Sequence, residues 1–105
     1  MASQLSGIIT IAAAGTAKQF TTDIGGGTFT FKAIGANTGS YCYVGNDGDD
    51  DVSSANGYQL KKGLDAITMT VHELSDVWGD SDTSGDKICW IRNMGEGVGI
   101  APPAY

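Results

Sequence analysis

A-I-T-M-T-V-H, residues Ala66–His72, is the stretch of sequence that decides the fold. Apolar and polar residues alternate along it without a break, which predicts a strand with one buried face. T-F-T-F-K-A-I, residues Thr28–Ile34, has the same period of two. No segment carries the 3.6-residue apolar stripe of an amphipathic helix, and only Val71–Trp78 could supply a helical turn. These stretches therefore predict an all-β protein.

Turn signals such as Asn56-Gly57 divide the rest of the chain into short strands. Further strands are predicted at Ile8–Ala13, Ala17–Thr22, Ser40–Val44, Tyr58–Lys61, Val77–Trp78 (a short strand or a bulge) and Lys87–Asn93. About eight short strands are typical of a sandwich, a jelly roll or a small barrel. We predict a single antiparallel β-sandwich or jelly-roll-like domain over residues 1–94, with at most one short helix near Glu73–Trp78. Residues 95–105 contain Gly and Pro without a strand period, which predicts an extended C-terminal arm.

The alternating strands also predict which side chains form the core. The residues expected to be mostly buried are Phe29, Phe31, Ile67, Met69, Val71 and Trp90. The two cysteines, Cys42 and Cys89, lie within apolar strand patterns and are too few for a disulfide framework. Both are expected to be buried, reduced thiols, as in a protein made in a cytosol.

Twelve acidic residues against six basic ones give the 105-residue chain a net charge of −6. The acids concentrate in two polar loops, Gly45–Asp51 and Gly79–Asp86, which we expect to face solvent. An acidic surface repels phosphate, so nucleic acid is not expected as a direct partner. The N-terminus lacks the basic and apolar regions of a signal peptide, and no apolar run is long enough for a membrane span.

No motif for catalysis or for binding a cofactor is complete. The acidic run Asp47–Asp51 has the composition of a calcium loop, but Val52 and Tyr58 occupy the positions that require Gly and Glu. A looser cation site there stays open. His72 is the only histidine, and H-E-L-S-D lacks the second histidine of a zinc-protease motif. We therefore predict no catalytic residue, no metal ligand, no cofactor and no enzymatic activity.

Aromatic and apolar residues outside the predicted core suit either a subunit interface or a carbohydrate platform. Tyr41 and Tyr43 lie on the strand face opposite Cys42 and Val44. The arm adds further apolar residues. The candidate interface residues are Tyr41, Tyr43, Tyr58, Ile100, Pro102, Pro103 and Tyr105.

The order of short phrases from Ile9 to Trp90 resembles that of small β-rich structural proteins of tailed bacteriophage virions. The phrases are I-T-I-A-A-A-G-T-A (9–17), N-T-G (37–39), Y-V-G (43–45), V-S-S-A-N-G-Y-Q-L (52–60) and L-S-D-V-W (74–78). The resemblance implies a virion protein made in the host cytoplasm, and it supplies no catalytic residues. We expect a capsid decoration (cement) protein that binds the major capsid protein, or another virion protein, and itself as a homotrimer. The alternatives are a tail or fibre component and a carbohydrate-binding β-sandwich module.

Overall fold

The computed structural model describes residues 6–20, 24–46 and 52–95. They form eight strands and one short 3₁₀-helix. The strands are β1 Ser6–Thr10, β2 Lys18–Gln19, β3 Gly27–Ala33, β4 Tyr41–Gly45, β5 Tyr58–Lys61, β6 Ala66–Val71, β7 Trp78–Ser81 and β8 Lys87–Gly95, and the 3₁₀-helix is Leu74–Asp76. The prediction of an all-β fold with about eight strands is confirmed, and the 3₁₀-helix agrees with the prediction of at most one short helix near Glu73–Trp78.

The strands form two antiparallel sheets of four. Sheet A has the order β1-β8-β3-β6, and sheet B has the order β2-β7-β4-β5. The chain crosses from one sheet to the other at every connection except the β4–β5 hairpin. This winding is the double Greek key of a jelly roll, the second of the two closely related architectures expected from the sequence. Within the described residues, no helix is long and apolar enough to cross a membrane.

The core lies between the two sheets and is built around aromatic rings. Phe29, Phe31 and Trp90 of sheet A are buried, as predicted. The Phe29 and Trp90 ring centroids lie 5.7 Å apart at 74°, and those of Phe20 and Phe31 lie 5.2 Å apart at 87°. Edge-to-face pairs of this kind add to the free energy gained by burying the rings. The Phe29–Trp90 pair lies within sheet A, and the Phe20–Phe31 pair joins sheet A to the residue that follows β2 of sheet B.

The prediction that the inward side chains of β6 are mostly buried is wrong in degree. Ile67, Met69 and Val71 pack against the core but are only partly buried. Because β6 is the last strand of sheet A, its inward side chains have strand neighbours on one side only. The alternation within a strand predicts which way a side chain points, but not how many neighbours it meets.

Several predicted boundaries also change, among them the end of the first strand at Thr10 instead of Ala13 and the second strand, which is Lys18–Gln19 instead of Ala17–Thr22. The first strand begins at Ser6 rather than Ile8, and residues Gly79–Ser81 belong to β7 rather than to a loop, because β7 pairs along β4. Gly95 pairs with Gly27 as the last residue of β8, so it is not part of an arm. Residues 96–105, the rest of the predicted arm, lie outside the described residues.

Candidate interaction surface

The prediction that the second acidic loop faces solvent is wrong for two of its carboxylates, which are buried, whereas Asp82 is exposed. Asp80 is 2% exposed and Asp86 is 3% exposed. The carboxylate of Asp86 accepts the backbone N–H groups of Thr38 at 2.9 Å and Gly39 at 2.8 Å. Oδ1 of Asp80 accepts those of Gly15 at 3.0 Å and Ser81 at 2.8 Å. Three of these four N–H groups lie between strands, so both carboxylates act as acceptors for loop backbone. The composition of the chain alone does not show this role.

Cys42 lies on the core side of β4, close to these carboxylates. Burial, and then the negative charge of Asp86, raise the pKa of the Cys42 thiol from 9.0 to about 12. The amide of Asn37 donates to its sulfur at 3.4 Å. Cys42 and Cys89 are both free, but Cys89 is only half-buried, so the prediction that both thiols are buried is wrong for Cys89. Cys89 faces the outside of sheet A, whereas Cys42 faces the core. A thiol such as Cys42, with a raised pKa, is a poor nucleophile at neutral pH.

Tyr43, one of the predicted interface residues, is 6% exposed. Its hydroxyl donates to Oδ1 of Asp82 at 2.7 Å. A β-carbon at Gly57 would lie 2.6 Å from the Tyr43 β-carbon, so the turn before β5 packs directly on this side chain. Burial, followed by the hydrogen bond to Asp82, raises the Tyr43 pKa to about 12. The ring of Tyr43 is therefore a structural element of this chain, with little surface left for a partner.

The other predicted interface residues differ in exposure. Tyr41 is half-buried on the outer face of sheet B, and Tyr58 is 57% exposed at the start of β5. Both remain predictions as interface residues. Ile100, Pro102, Pro103 and Tyr105 lie outside the described residues.

The residues considered for metal binding are not brought together in the described part of the chain. His72 is exposed just after β6. Among the described residues, no three His, Cys, Asp or Glu side chains lie close enough to hold a metal ion. The run Asp47–Asp51 lies outside the described residues, and so does the looser cation site considered for it.

The outer face of sheet A carries an apolar area that the sequence analysis did not single out. Ile8, Cys89, Lys32 and Ala66 lie side by side across the four strands. Ile8 is 58% exposed and Ile91 is 49% exposed. Together these residues line an open groove of about 470 Å³. The sequence signal for this area is that Ile8 and Ile91 alternate with inward-facing residues, so each isoleucine points outward from its strand.

The far side of the same face is polar but uncharged. The hydroxyls of Thr28 and Thr70 lie 2.8 Å apart, as do those of Thr30 and Thr68. The side-chain amide of Asn93 donates to Thr30 at 2.8 Å. These cross-strand bonds tie β6 to β3 and β3 to β8 on the surface, so the face is held as a rigid platform.

Sheet A contains no carboxylate in any of its four strands, although the chain has a net charge of −6. Its charged residues are Lys32, Lys87 and Arg92. The described carboxylates all lie elsewhere, at Asp65, Glu73, Asp76, Asp80, Asp82 and Asp86. An exposed apolar groove on a face without carboxylates, in an acidic protein, is typical of a docking surface. We call this outer face of β1, β8, β3 and β6 the platform.

Comparisons of the chain with models of known protein families, with curated proteins and with solved structures find no match.

Proposed function

We propose that this protein is a structural component of a tailed-bacteriophage virion, specifically a capsid decoration protein on the outer surface of the head. Its partners are the major capsid protein, or another virion protein, and further copies of itself. It is synthesised in the host cytoplasm and is then incorporated into the virion, on the capsid surface. The observation that carries the proposal is the platform, an exposed face with an apolar groove and without carboxylates on an otherwise acidic chain.

Two further lines support this proposal. The jelly roll is an architecture that viral capsid domains share with lectins, although a fold does not by itself assign a function. The order of turn and strand phrases from Ile9 to Trp90 resembles that of small phage virion proteins. The two arguments are independent, since one uses strand topology and the other uses local sequence.

The charge distribution suits a protein that is first free in solution and then binds the repeated sites of a capsid. A net negative charge keeps free copies apart in solution. A face without carboxylates can approach a capsid without bringing that charge into the contact. Because a capsid repeats its binding site many times, modest affinity per copy can still give high occupancy when neighbouring copies also contact one another.

The proposal includes no enzymatic activity. The buried carboxylates Asp80 and Asp86 accept backbone hydrogen bonds, and the raised pKa of Cys42 disfavours its thiolate. A broad hydrolase panel with the purified chain tests this statement. Hydrolysis that is lost on His72→Ala would contradict it.

The experiment that tests capsid docking mixes the purified chain with capsids that lack it and measures co-sedimentation. Ile91→Glu places a carboxylate on the platform and should strongly reduce the bound fraction. Gln59→Glu places the same charge on the outer face of sheet B, where Gln59 is exposed, and should bind like the unmodified chain. Equal binding by both variants would contradict docking through the platform.

The predicted arm has its own test. Deleting residues 96–105 leaves all eight strands intact, so the shortened chain should fold. If the arm takes part in docking, this chain no longer coats capsids. Full occupancy by the shortened chain would show that docking depends on the jelly-roll domain alone.

One observation favours a second candidate, a carbohydrate-binding module. Tyr58 is 57% exposed, and aromatic side chains on jelly rolls stack on sugars in lectins. This candidate predicts binding of the free chain to a glycan array and loss of that binding in Tyr58→Ala, whereas a decoration protein binds no glycan. A tail or fibre location is distinguished by imaging virions labelled on this protein.

A further inference from the structure

The two sheets differ in how their edges are protected against pairing with another strand. Sheet B ends in β2, which has two residues including Lys18, and in β5, which has four including Lys61. Short edge strands and edge lysines are the usual means of preventing strand addition. Both ends of sheet B therefore carry such protection.

Sheet A ends in two longer strands without that protection. β6 has six residues, A-I-T-M-T-V, and β1 has five, S-G-I-I-T. Neither contains a charged residue or a proline, and each pairs with its neighbour in an unbroken register. Such strands accept a further strand through their main-chain N–H and C=O groups.

The inward side of β6 is also incompletely covered. Ile67, Met69 and Val71 pack against the core but stay partly exposed. A strand added beside β6 would place new apolar side chains next to them and would extend sheet A. Among the described residues, the outer edge of β6 therefore has no further strand beside it, and its inward side chains have few apolar neighbours on that side.

We infer that β6 of one copy pairs with β1 of a second copy, so that identical chains assemble head to tail through sheet A. The charge distribution favours a second copy as the occupant. Copies with a net charge of −6 repel one another, and sheet A is the sheet through which they can meet without bringing carboxylates together. The inference deepens the proposed function and rests on it, and the number of three copies is that of the homotrimer expected from the resemblance.

The strand directions fit this arrangement. Each neighbouring pair in sheet A is antiparallel, so β1 and β6 run in opposite directions. When copies are related by rotation about an axis along the strands, β6 meets the next β1 in antiparallel orientation. One type of contact then uses both edges, and heterologous contacts of this kind close into a ring when the rotation from copy to copy completes a full turn. Three copies would leave no edge of sheet A free.

The test uses the full chain without any capsid, followed by sedimentation equilibrium up to high micromolar concentration. The unmodified chain should reach a trimer. Thr68→Lys puts an exposed lysine in the middle of β6 and should raise the dissociation constant by at least about tenfold. Gln59→Lys adds the same charge to β5 and should leave association unchanged. Circular dichroism confirms that each variant is folded.

A mixing experiment separates head-to-tail pairing from pairing between two β6 strands. Ile8→Lys places a lysine in β1, as Thr68→Lys does in β6, and each variant alone should associate at least about tenfold more weakly than the unmodified chain. A mixture still contains one open β6 and one open β1, so it should form a one-to-one dimer and nothing larger. A mixture that stays monomeric would overturn the inference, as would an unmodified chain that is monomeric or stops at a dimer.

These association experiments contain no capsid, so their result can be compared separately with the capsid-binding result. A chain that stays monomeric but coats capsids would overturn the strand-pairing inference and leave the proposed function in place. A chain that forms trimers but binds no capsid would do the reverse.

Discussion

The two sheets of this jelly roll use charge in opposite ways. Sheet B and its loops contain carboxylates that are buried, and each accepts backbone N–H groups from turns. Sheet A contains no carboxylate, exposes Ile8 and Ile91, and ends in two uncharged strands. In this chain, buried acidic residues stabilise the fold around sheet B, whereas the platform on sheet A contains no acidic residue.

This separation has a physical cause. A short loop that connects two sheets leaves backbone N–H groups without a strand partner, and a carboxylate can accept two of them. Asp86 does so for the turn that precedes β4. A docking surface has the opposite requirement, because each carboxylate there must lose its water when the partner binds.

Among the charged residues, the largest effect is expected at Asp86. Asp86→Ala leaves the N–H groups of Thr38 and Gly39 without their acceptors, so the free energy of unfolding should fall by about 3 kcal/mol. Urea denaturation followed by tryptophan fluorescence measures this loss. Asp76 is exposed, so Asp76→Ala should change stability by less than about 0.5 kcal/mol. Equal losses in the two variants would contradict a structural role for the buried carboxylate.

A smaller effect is expected at alkaline pH. The pKa of Cys42 is raised from 9.0 to about 12, and that of Tyr43 from 10.0 to about 12, mainly by burial. The folded chain therefore keeps protons that the unfolded chain releases above pH 9.0 and 10.0. Their contribution to stability is complete below these values, and is lost as the pH rises toward about 12.

Urea denaturation at several pH values above neutrality measures this loss. Each group should lower the free energy of unfolding by at most about 1.4 kcal/mol per pH unit in that range. Cys42→Ala removes one of the two groups, so its stability should depend less steeply on pH. A Cys42→Ala profile as steep as that of the unmodified chain would argue against a raised thiol pKa.

The smallest effect is expected on the platform. Ile91 is 49% exposed, so Ile91→Ser should change the stability of the isolated chain by no more than about 0.5 kcal/mol. The same substitution should reduce capsid binding. Phe31→Ala, at a fully buried position of the same sheet, should cost about 3–5 kcal/mol. A large loss of stability in Ile91→Ser would indicate that this isoleucine is retained for folding.

The period of two in the sequence was sufficient to predict β3 and β6 to within a residue or two of their ends. Thr28–Ile34 and Ala66–His72 correspond to Gly27–Ala33 and Ala66–Val71. The two sheets followed from the number and spacing of strands. Their order did not, because pairing between strands distant in the chain depends on contacts that a local pattern does not encode.

The errors in the polar regions have a different cause. Acidic residues in a predicted loop are usually solvated, but Asp80 lies in β7 and is buried. Tyr43 alternates with Cys42 and Val44, which predicted an exposed ring, yet the turn before β5 covers it. In both cases the deciding contact comes from a segment far along the chain or from a loop conformation. The platform was missed for a related reason, since outward isoleucines are recognised only once the two faces of sheet A are known.

Hydrogen–deuterium exchange of the full chain at low and high micromolar concentration tests most directly whether sheet A is the interacting sheet. Amides of β6 and β1 should exchange more slowly at the higher concentration, because strand pairing gives their N–H groups new acceptors. Amides of β5 should exchange at the same rate at both concentrations. Unchanged exchange in β6 and β1, or new protection confined to β5, would contradict the account.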